Sequence, residues 1–212
     1  MIKAGDYEAL KNHLESRTAL QLKELEQVGS NGLRDIDSLL FYSMNYKSER
    51  MVDILTLLLN FGADPNVTNQ NGTTLLMSAA EANNEEAIKV LLNSKDIDLK
   101  KLDATGFSMA THYAVRANAV QAFQALIDAG MDAHYVCPLH GKNYLHIAAA
   151  EGNTEMCDLL ISLKVDPTLE ESIDNSLASE LVPSDESFAP LFDKIEEYRN
   201  SVKQHSTGFE LD

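Results

Sequence analysis

The sequence predicts an all-α stack of repeated helix–turn–helix units, and three observations predict it. The first is an internal repeat. Segments 71–92, 106–127 and 141–161 align, with equivalent alanines at Ala79, Ala114 and Ala148, 35 and 34 residues apart. The closing apolar residues Leu92, Ile127 and Ile161 keep the same two intervals. Two independent markers sharing one period indicate stacked supersecondary units. The second is periodicity inside a unit: Ala87, Ile88, Leu91 and Leu92 fall at i, i+1, i+4 and i+5, which makes one apolar helix face. The third is composition. Apolar residues make up 44% of 212, enough for a core, while 10 glycines and 5 prolines leave most connections short and most of the chain helical.

The elements follow in order. Residues 1–35 are expected to form a helical N-terminal cap. In it, Ala4 to Leu14 reads as the middle turn and second helix of a degenerate unit, and Gly29-Ser30-Asn31-Gly32 as a turn. Residues 36–170 are expected to hold about four core units. The first opens with Ser38-Leu39-Leu40-Phe41-Tyr42, carries a small insertion, and closes with Met51 to Leu59, 33 residues before Leu92. In the others a short helix leads to a turn near Asn83, Asn118 or Gly152 and then to a longer amphipathic helix. Ala79, Ala80, Ala114, Ala148 and Ala149 are small enough to let neighbouring helices approach. Gly62 and Gly130 sit just past a helix end, where a left-handed residue is needed.

Residues 171–203 are expected to be a degenerate repeat and a C-terminal capping helix. Asp174 to Ala178 reads as a decayed opening, and Phe188, Leu191, Phe192, Ile195, Tyr198 and Val202 form a helical stripe. That stripe either packs on the array as a cap or offers an amphipathic helix to a partner groove. Residues 204–212 are expected to be a flexible tail.

Leu58-Leu59-Asn60-Phe61-Gly62-Ala63-Asp64-Pro65-Asn66 reads as a Leu-Leu-x-x-Gly-Ala-Asp-x-Asn close, and Leu126-Ile127-Asp128-Ala129-Gly130-Met131-Asp132 as another. Asn143-Tyr144-Leu145-His146-Ile147-Ala148, with Glu151-Gly152-Asn153, follows most of a Gly-x-Thr-Pro-Leu-His-x-Ala opening and its middle turn. On these residues the sequence resembles the ankyrin repeat family from about Ile36 to Thr168. It departs from the pattern where Leu75, Ala110 and Tyr144 replace the opening proline. It also departs after Leu92, where the close is one residue too long and lacks glycine.

The resemblance implies an ankyrin-repeat solenoid with helical caps at both ends, in which His112 and His146 brace the opening turns by hydrogen bonds. It further implies a protein partner held on a concave side made of hairpin tips and first helices. By position the tip residues are Asn66, Asn69, Gln70 and Asn71, then Lys100, Lys101, Asp103 and Thr105, then His134, Tyr135, Leu139 and Lys142. On the first helices they are Tyr42, Asn45, Ser78, Glu81, Tyr113, Arg116, Ile147 and Glu151. Tyr113, Tyr135 and Arg116 are the residue types that most often dominate interfaces.

Charge narrows the partner. The chain carries 33 acids and 17 bases, net −16, and residues 151–212 hold 15 of the acids and 4 of the bases. Such a surface repels phosphate backbones, so no nucleic-acid partner is expected. It attracts a basic protein, or it simply solvates the end of the array. No run approaches 18 apolar residues, so no membrane partner is expected. The N-terminus has no apolar signal-peptide core, and Cys137 and Cys157 make no disulfide framework. A monomer with reduced thiols in the cytoplasm is therefore expected.

Chemistry finds little support. His134-x-x-Cys137-x-x-His140 has spacing that zinc accepts, but it lies where a connecting hairpin belongs and no second cysteine pair exists, so it reads as a polar, exposed tip. Neither metal nor cofactor is expected. The acid pairs Glu85-Glu86, Glu170-Glu171 and Glu196-Glu197 are adjacent and do not share a helix face. No phosphate-cradling glycine loop occurs. The sequence thus points away from an enzyme. It points to a binding module for a folded, basic protein, which it inhibits or shields, with a bridging adaptor or effector and a tip-centred metal protein as the other readings.

Overall fold

A computed structural model of the chain describes Asn12 and residues 35–44, 49–173 and 175–207. Nearly all of the expected N-terminal cap, Asn45, and the last five residues of the expected tail lie outside these. The described helices are α1 (Asp35–Ser43), α2 (Glu49–Asn60), α3 (Leu75–Glu81), α4 (Glu85–Leu92), α5 (Ala110–Arg116), α6 (Val120–Asp128), α7 (Tyr144–Ala150), α8 (Thr154–Ser162) and α9 (Ala189–Thr207). Two 3-10 turns, Ala178–Leu181 and Glu186–Phe188, precede α9. None of the described helices is long and apolar enough to cross a membrane. The chain forms two compact units, one running to Ala80 and resuming at Asn84–Ala110, the other made of Glu81–Asn83 and everything from Thr111.

In the first unit α1 packs on α2 and α2 on α4. Leu40, Leu55, Leu58, Leu75, Met77, Ile88 and Leu91 are fully buried between them. The first turn of α4 shows why it starts where it does. Asn84 caps it, its side chain accepting the Ala87 N–H at 3.0 Å, and Glu85 and Glu86 complement the positive end of the helix dipole. Gly62, at φ +88°, ends α2 in the left-handed conformation that only glycine adopts without strain.

Between the helices run hairpins with a strict register. Asp64, Asp98, Asp132 and Asp166 are each 34 residues apart, and each carboxylate accepts the N–H two residues on, at 2.8–2.9 Å. These Asx turns start each hairpin. Its tip is closed by the N–H of Asn69, Asp103, Cys137 and Glu171, again 34 apart, donating to the carbonyls of Thr73, Ser108, Lys142 and Ser176.

The second unit carries its own stacking device. Asn83 and Asn118 sit in the middle turns at φ +50° and +53°. Each side chain reaches into the following repeat and caps its second helix: Asn83 Oδ1 accepts the Ala122 N–H at 2.9 Å, and Asn118 Oδ1 accepts the Met156 N–H at 3.0 Å. Those helices have no side-chain cap of their own, since Ala119 and Asn153 at their N-caps do not supply one. Asn153 instead turns back, donating to the Val115 and Arg116 carbonyls at 2.8 and 3.0 Å at the end of α5. Gly152 holds the third such turn, at φ +67°, and there a Cβ would stand 2.4 Å from the Phe188 ring. The closing segment packs where an asparagine would otherwise point.

That segment differs from the sequence expectation in three ways. The decayed opening keeps its hairpin but winds only one 3-10 turn, because Pro183 forces Val182 into an extended conformation (φ −59°, ψ 133°). In α9, Leu191 and Ile195 are buried, but Phe192 is 41% exposed and faces away from the packed side. Finally, α9 continues to Thr207, so residues 204–207 of the expected tail are helical. The segment is fastened by Glu196, which accepts from the Ser179 hydroxyl and from Arg199 (2.7 Å). The Ser179 bond, followed by Arg199, holds the Glu196 carboxyl below the usual carboxylate range.

His146 braces the opening of α7. Asn143 accepts the His146 N–H at 3.2 Å, and His146 Nδ1 accepts the Asn143 N–H at 3.3 Å, which makes a capping box. Asn143 Nδ2 also donates to the Asp166 carbonyl at 2.7 Å, tying this turn to the next repeat. The imidazole is completely buried. Burial pushes its pKa below the ordinary 6.5, while the backbone at Leu169 and Ser176 works in the opposite direction.

Three outcomes follow in denaturant unfolding. Asn118→Gly keeps the left-handed turn but loses the cap and should cost about 1 kcal/mol, whereas Asn118→Ala adds backbone strain and should cost about 2 kcal/mol. Lys164 stands at φ +60° where the preceding repeat has Gly130, so Lys164→Gly should stabilise by about 0.5–1 kcal/mol. Because the unfolded His146 binds a proton more readily than the folded one, stability is complete above pH ~6.5 and is lost as pH falls toward the lower folded value. The urea midpoint should drop between pH 7 and 5, and the drop should shrink in His146→Gln.

Candidate protein interface

The residues expected at the interface divide into those the fold consumes and those it leaves outward. In the first unit the tips are largely consumed. Asn66 donates to the Asp96 carbonyl at 2.6 Å and accepts the Asp98 N–H at 2.7 Å, while its own carbonyl receives Lys101 Nζ at 2.7 Å. Asn66 and Lys101 thus join one hairpin to the next. Asn69 Oδ1 accepts the N–H groups of Asn71 and Thr73 at 2.9 and 3.1 Å. Asp103 accepts the Thr105 N–H at 3.0 Å and the Thr105 hydroxyl. These four side chains shape the tips. Gln70, Asn71, Lys100 and Thr105 are exposed there, and Ser78 is half-buried on α3. The backbone at Tyr42 is helical, but its side chain lies outside the described residues, as does Asn45.

In the second unit Glu81, Arg116 and Glu151 are exposed, and Tyr113 and Ile147 are half-buried on α5 and α7. His134 and Leu139 are exposed at the tip. Lys142 is paired with Glu171, Nζ to Oε2 at 2.5 Å, and that carboxylate is 4% exposed. Lys142 therefore holds a neighbouring hairpin.

Tyr135 is partly structural too. It belongs to an aromatic cluster built around Tyr144, the residue that replaces the opening proline. Tyr144 is 1% exposed, and its hydroxyl lies 2.6 Å from the Thr111 hydroxyl. Phe123 and His112 meet its ring edge-on at 5.4 and 5.1 Å, and Tyr135 stacks on it at 6.0 Å. His112 also meets Tyr135 edge-on at 5.4 Å. Burial raises the Tyr144 phenol far above its ordinary range, so it acts as a neutral hydrogen-bonding group. The cluster fixes the outer end of α5 against α7 and leaves one edge of Tyr135 to solvent.

The expected polar, exposed tip at Cys137 is corrected. Its N–H donates to the Lys142 carbonyl at 2.8 Å, its carbonyl accepts the Gly141 N–H at 2.8 Å, and the residue is buried. It holds the hairpin-closing position shared with Asn69, Asp103 and Glu171, which turns its sulfur inward. The structure does not gather His134, Cys137 and His140. Among the described residues no group of three His, Cys, Asp or Glu side chains could hold a metal ion. Cys157 is also free and buried, and burial, followed by the neighbouring Asp158, raises its thiol to about 12. That keeps it protonated and unreactive.

Sequence reasoning missed the exposed apolar side chains at the tips: Leu102 and Phe107 in the first unit, Val136 and Ile173 in the second. The only signal for them is an apolar residue on a hairpin that must face water.

Comparison with known proteins places this architecture. A family model described as ankyrin repeats, in three copies, matches residues 39–136 and 109–171. The nuclear factor NF-kappa-B p105 subunit of Gallus gallus is 28% identical over 116 residues, 53% of this chain and 12% of that protein. A putative ankyrin repeat protein, FPV014, of Fowlpox virus (strain NVSL) is 28% identical over 145 residues, 51% of this chain and 32% of that protein. The chain therefore spans a third or less of either relative. Among solved structures, the ankyrin repeat domain of Bcl-3, titled a unique member of the IkappaB protein family, superposes with a TM-score of 0.72 at 20% identity. The match covers 92% of this chain and 82% of that one. With the 34-residue register of its hairpins and a family match over most of its described length, the chain belongs to the ankyrin repeat family.

Proposed function

We propose that this chain binds a folded, basic protein through its repeat tips and first-helix faces, and that by covering that protein's surface it inhibits or shields it. As an ankyrin-repeat chain it is a protein–protein interaction module. The disposition of charge in the second unit supports a basic partner. Glu151, Glu155, Asp166, Glu170, Glu180, Asp193 and Glu197 are exposed. Three of the bases there are already committed: Lys142 to Glu171, Lys194 to Asp158, and Arg199 to Glu196. The surplus acids face solvent, where they steer a basic partner and speed its docking.

Two free, buried thiols suit a monomer working in the cytoplasm.

The test is affinity capture from native extract at low and high salt, with mass-spectrometric readout. One dominant basic protein, lost at high salt, is expected. Tyr113→Ala with Arg116→Ala should weaken its capture at least about tenfold, a typical effect of interface anchors. The same pair of changes at exposed positions of α8 should not. Tyr135 is left out of this test because its removal would also open the Tyr144 cluster. Two or more proteins that persist at high salt would establish the bridging adaptor instead. No specific protein would overturn the module's proposed partner class.

A further inference from the structure

Large apolar side chains exposed on a folded surface cost free energy unless a partner covers them, and clustered ones mark interaction sites. In the second unit Leu139 is 57% exposed, Ile173 71% and Val136 37%. They stand on two adjoining hairpins. The Ser172 N–H, next to Ile173, donates to the carbonyl of His140, next to Leu139, at 2.8 Å. Gly141 makes the approach possible: a Cβ there would lie 2.8 Å from Ser172 Oγ. The two tips are thus locked together with Leu139 and Ile173 flanking the lock, and the Lys142–Glu171 pair pins the same hairpins beneath.

The surroundings say what covers this knob. Across residues 132–142 and 166–177 Lys142 is the one lysine or arginine, and it is paired with Glu171. Asp132, Asp166 and Glu170 are exposed on the same two hairpins. An apolar centre with an acidic rim is complementary to an apolar cleft rimmed by lysine and arginine. A second copy of this chain would bring acid against acid, and an anionic membrane would be repelled.

We propose that Val136, Leu139 and Ile173 form the anchor of the interface and insert into an apolar cleft, rimmed by lysine or arginine, on the folded partner. This rests on the protein-binding reading above and adds the residues and the partner chemistry that carry it. The apolar centre sets how long the complex lasts, and Asp132, Asp166 and Glu170 set how fast it forms.

The experiment places a benzophenone amino acid singly at positions 139, 173, 116 and 162 of the full chain. Each version is irradiated in native extract, and the cross-linked peptides are sequenced. The expected result is one protein cross-linked from both 139 and 173, at least about tenfold over Ser162 on α8, through an apolar peptide flanked by Lys or Arg. Asp132→Asn with Glu170→Gln, in a chain whose circular dichroism is unchanged, should lower that yield at low salt and not at high salt. A protein captured from 116 but not from 139 or 173 overturns the anchor while leaving the module reading intact. Cross-links to a second copy of this chain, or an acidic contact peptide, overturn the anchor as well. No cross-link above the Ser162 level at any position overturns both readings.

Discussion

A short helix that cannot cap its own N-terminus must borrow a cap, and in the second unit this dependence runs from each repeat to the next. Asn83 and Asn118 occupy left-handed turns, and from there their side chains satisfy the Ala122 and Met156 N–H groups of the following helix. The backbone strain in one repeat and the capping bond in its neighbour are parts of the same arrangement. Asparagine is the residue that tolerates the conformation and also carries the acceptor. The Asn153 bonds run the other way, to the carbonyls ending α5, so the interface that Asn118 caps is fastened at both helix ends. Where the array stops, Gly152 replaces the asparagine and the Phe188 ring takes its space.

On the hairpin side, polar side chains that look available in a sequence are mostly building material. Asn66, Lys101, Asn69, Asp103 and Lys142 all sit at tips, yet each makes hydrogen bonds or an ion pair within the scaffold. A tip has few backbone partners of its own, and buried or half-buried polar groups must find some. What remains outward is a mixture of acids, a few polar residues and, in the second unit, the apolar trio at 136, 139 and 173. Rigid tips with apolar ends and charged rims suit recognition of a preformed surface, because little conformational freedom is lost on docking.

The replacement of the opening proline by Tyr144 shows how one departure from a family pattern is absorbed. Proline would fix φ at the start of the helix. Tyrosine has no such constraint, and the turn is instead held by the Asn143–His146 capping box and by the buried Tyr144–Thr111 hydroxyl pair. The price is a large aromatic ring inside the repeat stack, accommodated edge-on by Phe123 and His112 and face-on by Tyr135. Tyr135, which reads as an interface anchor in the sequence, is drawn into this cluster because Tyr144, nine residues on across the same hairpin, brings its ring within stacking distance, 6.0 Å.

The sequence by itself determined the period, the helical faces, the left-handed positions Gly62 and Gly130, and the middle turns near Asn83, Asn118 and Gly152. These depend on local backbone geometry and on the 3.6-residue spacing of apolar side chains, both of which are written within a few residues. It could not determine which tip side chains are spent inside the scaffold, that Cys137 turns inward, that Phe192 stays out, or that Leu139 and Ile173 meet. The use of Asn66, Lys101 and Lys142 and the meeting of Leu139 with Ile173 are settled by contacts between residues about 30 positions apart, such as Asn66 with Asp98 or His140 with Ser172. Only the tertiary structure decided them, because a hydrogen bond or a void is filled by whichever group the packed neighbouring repeat brings within reach.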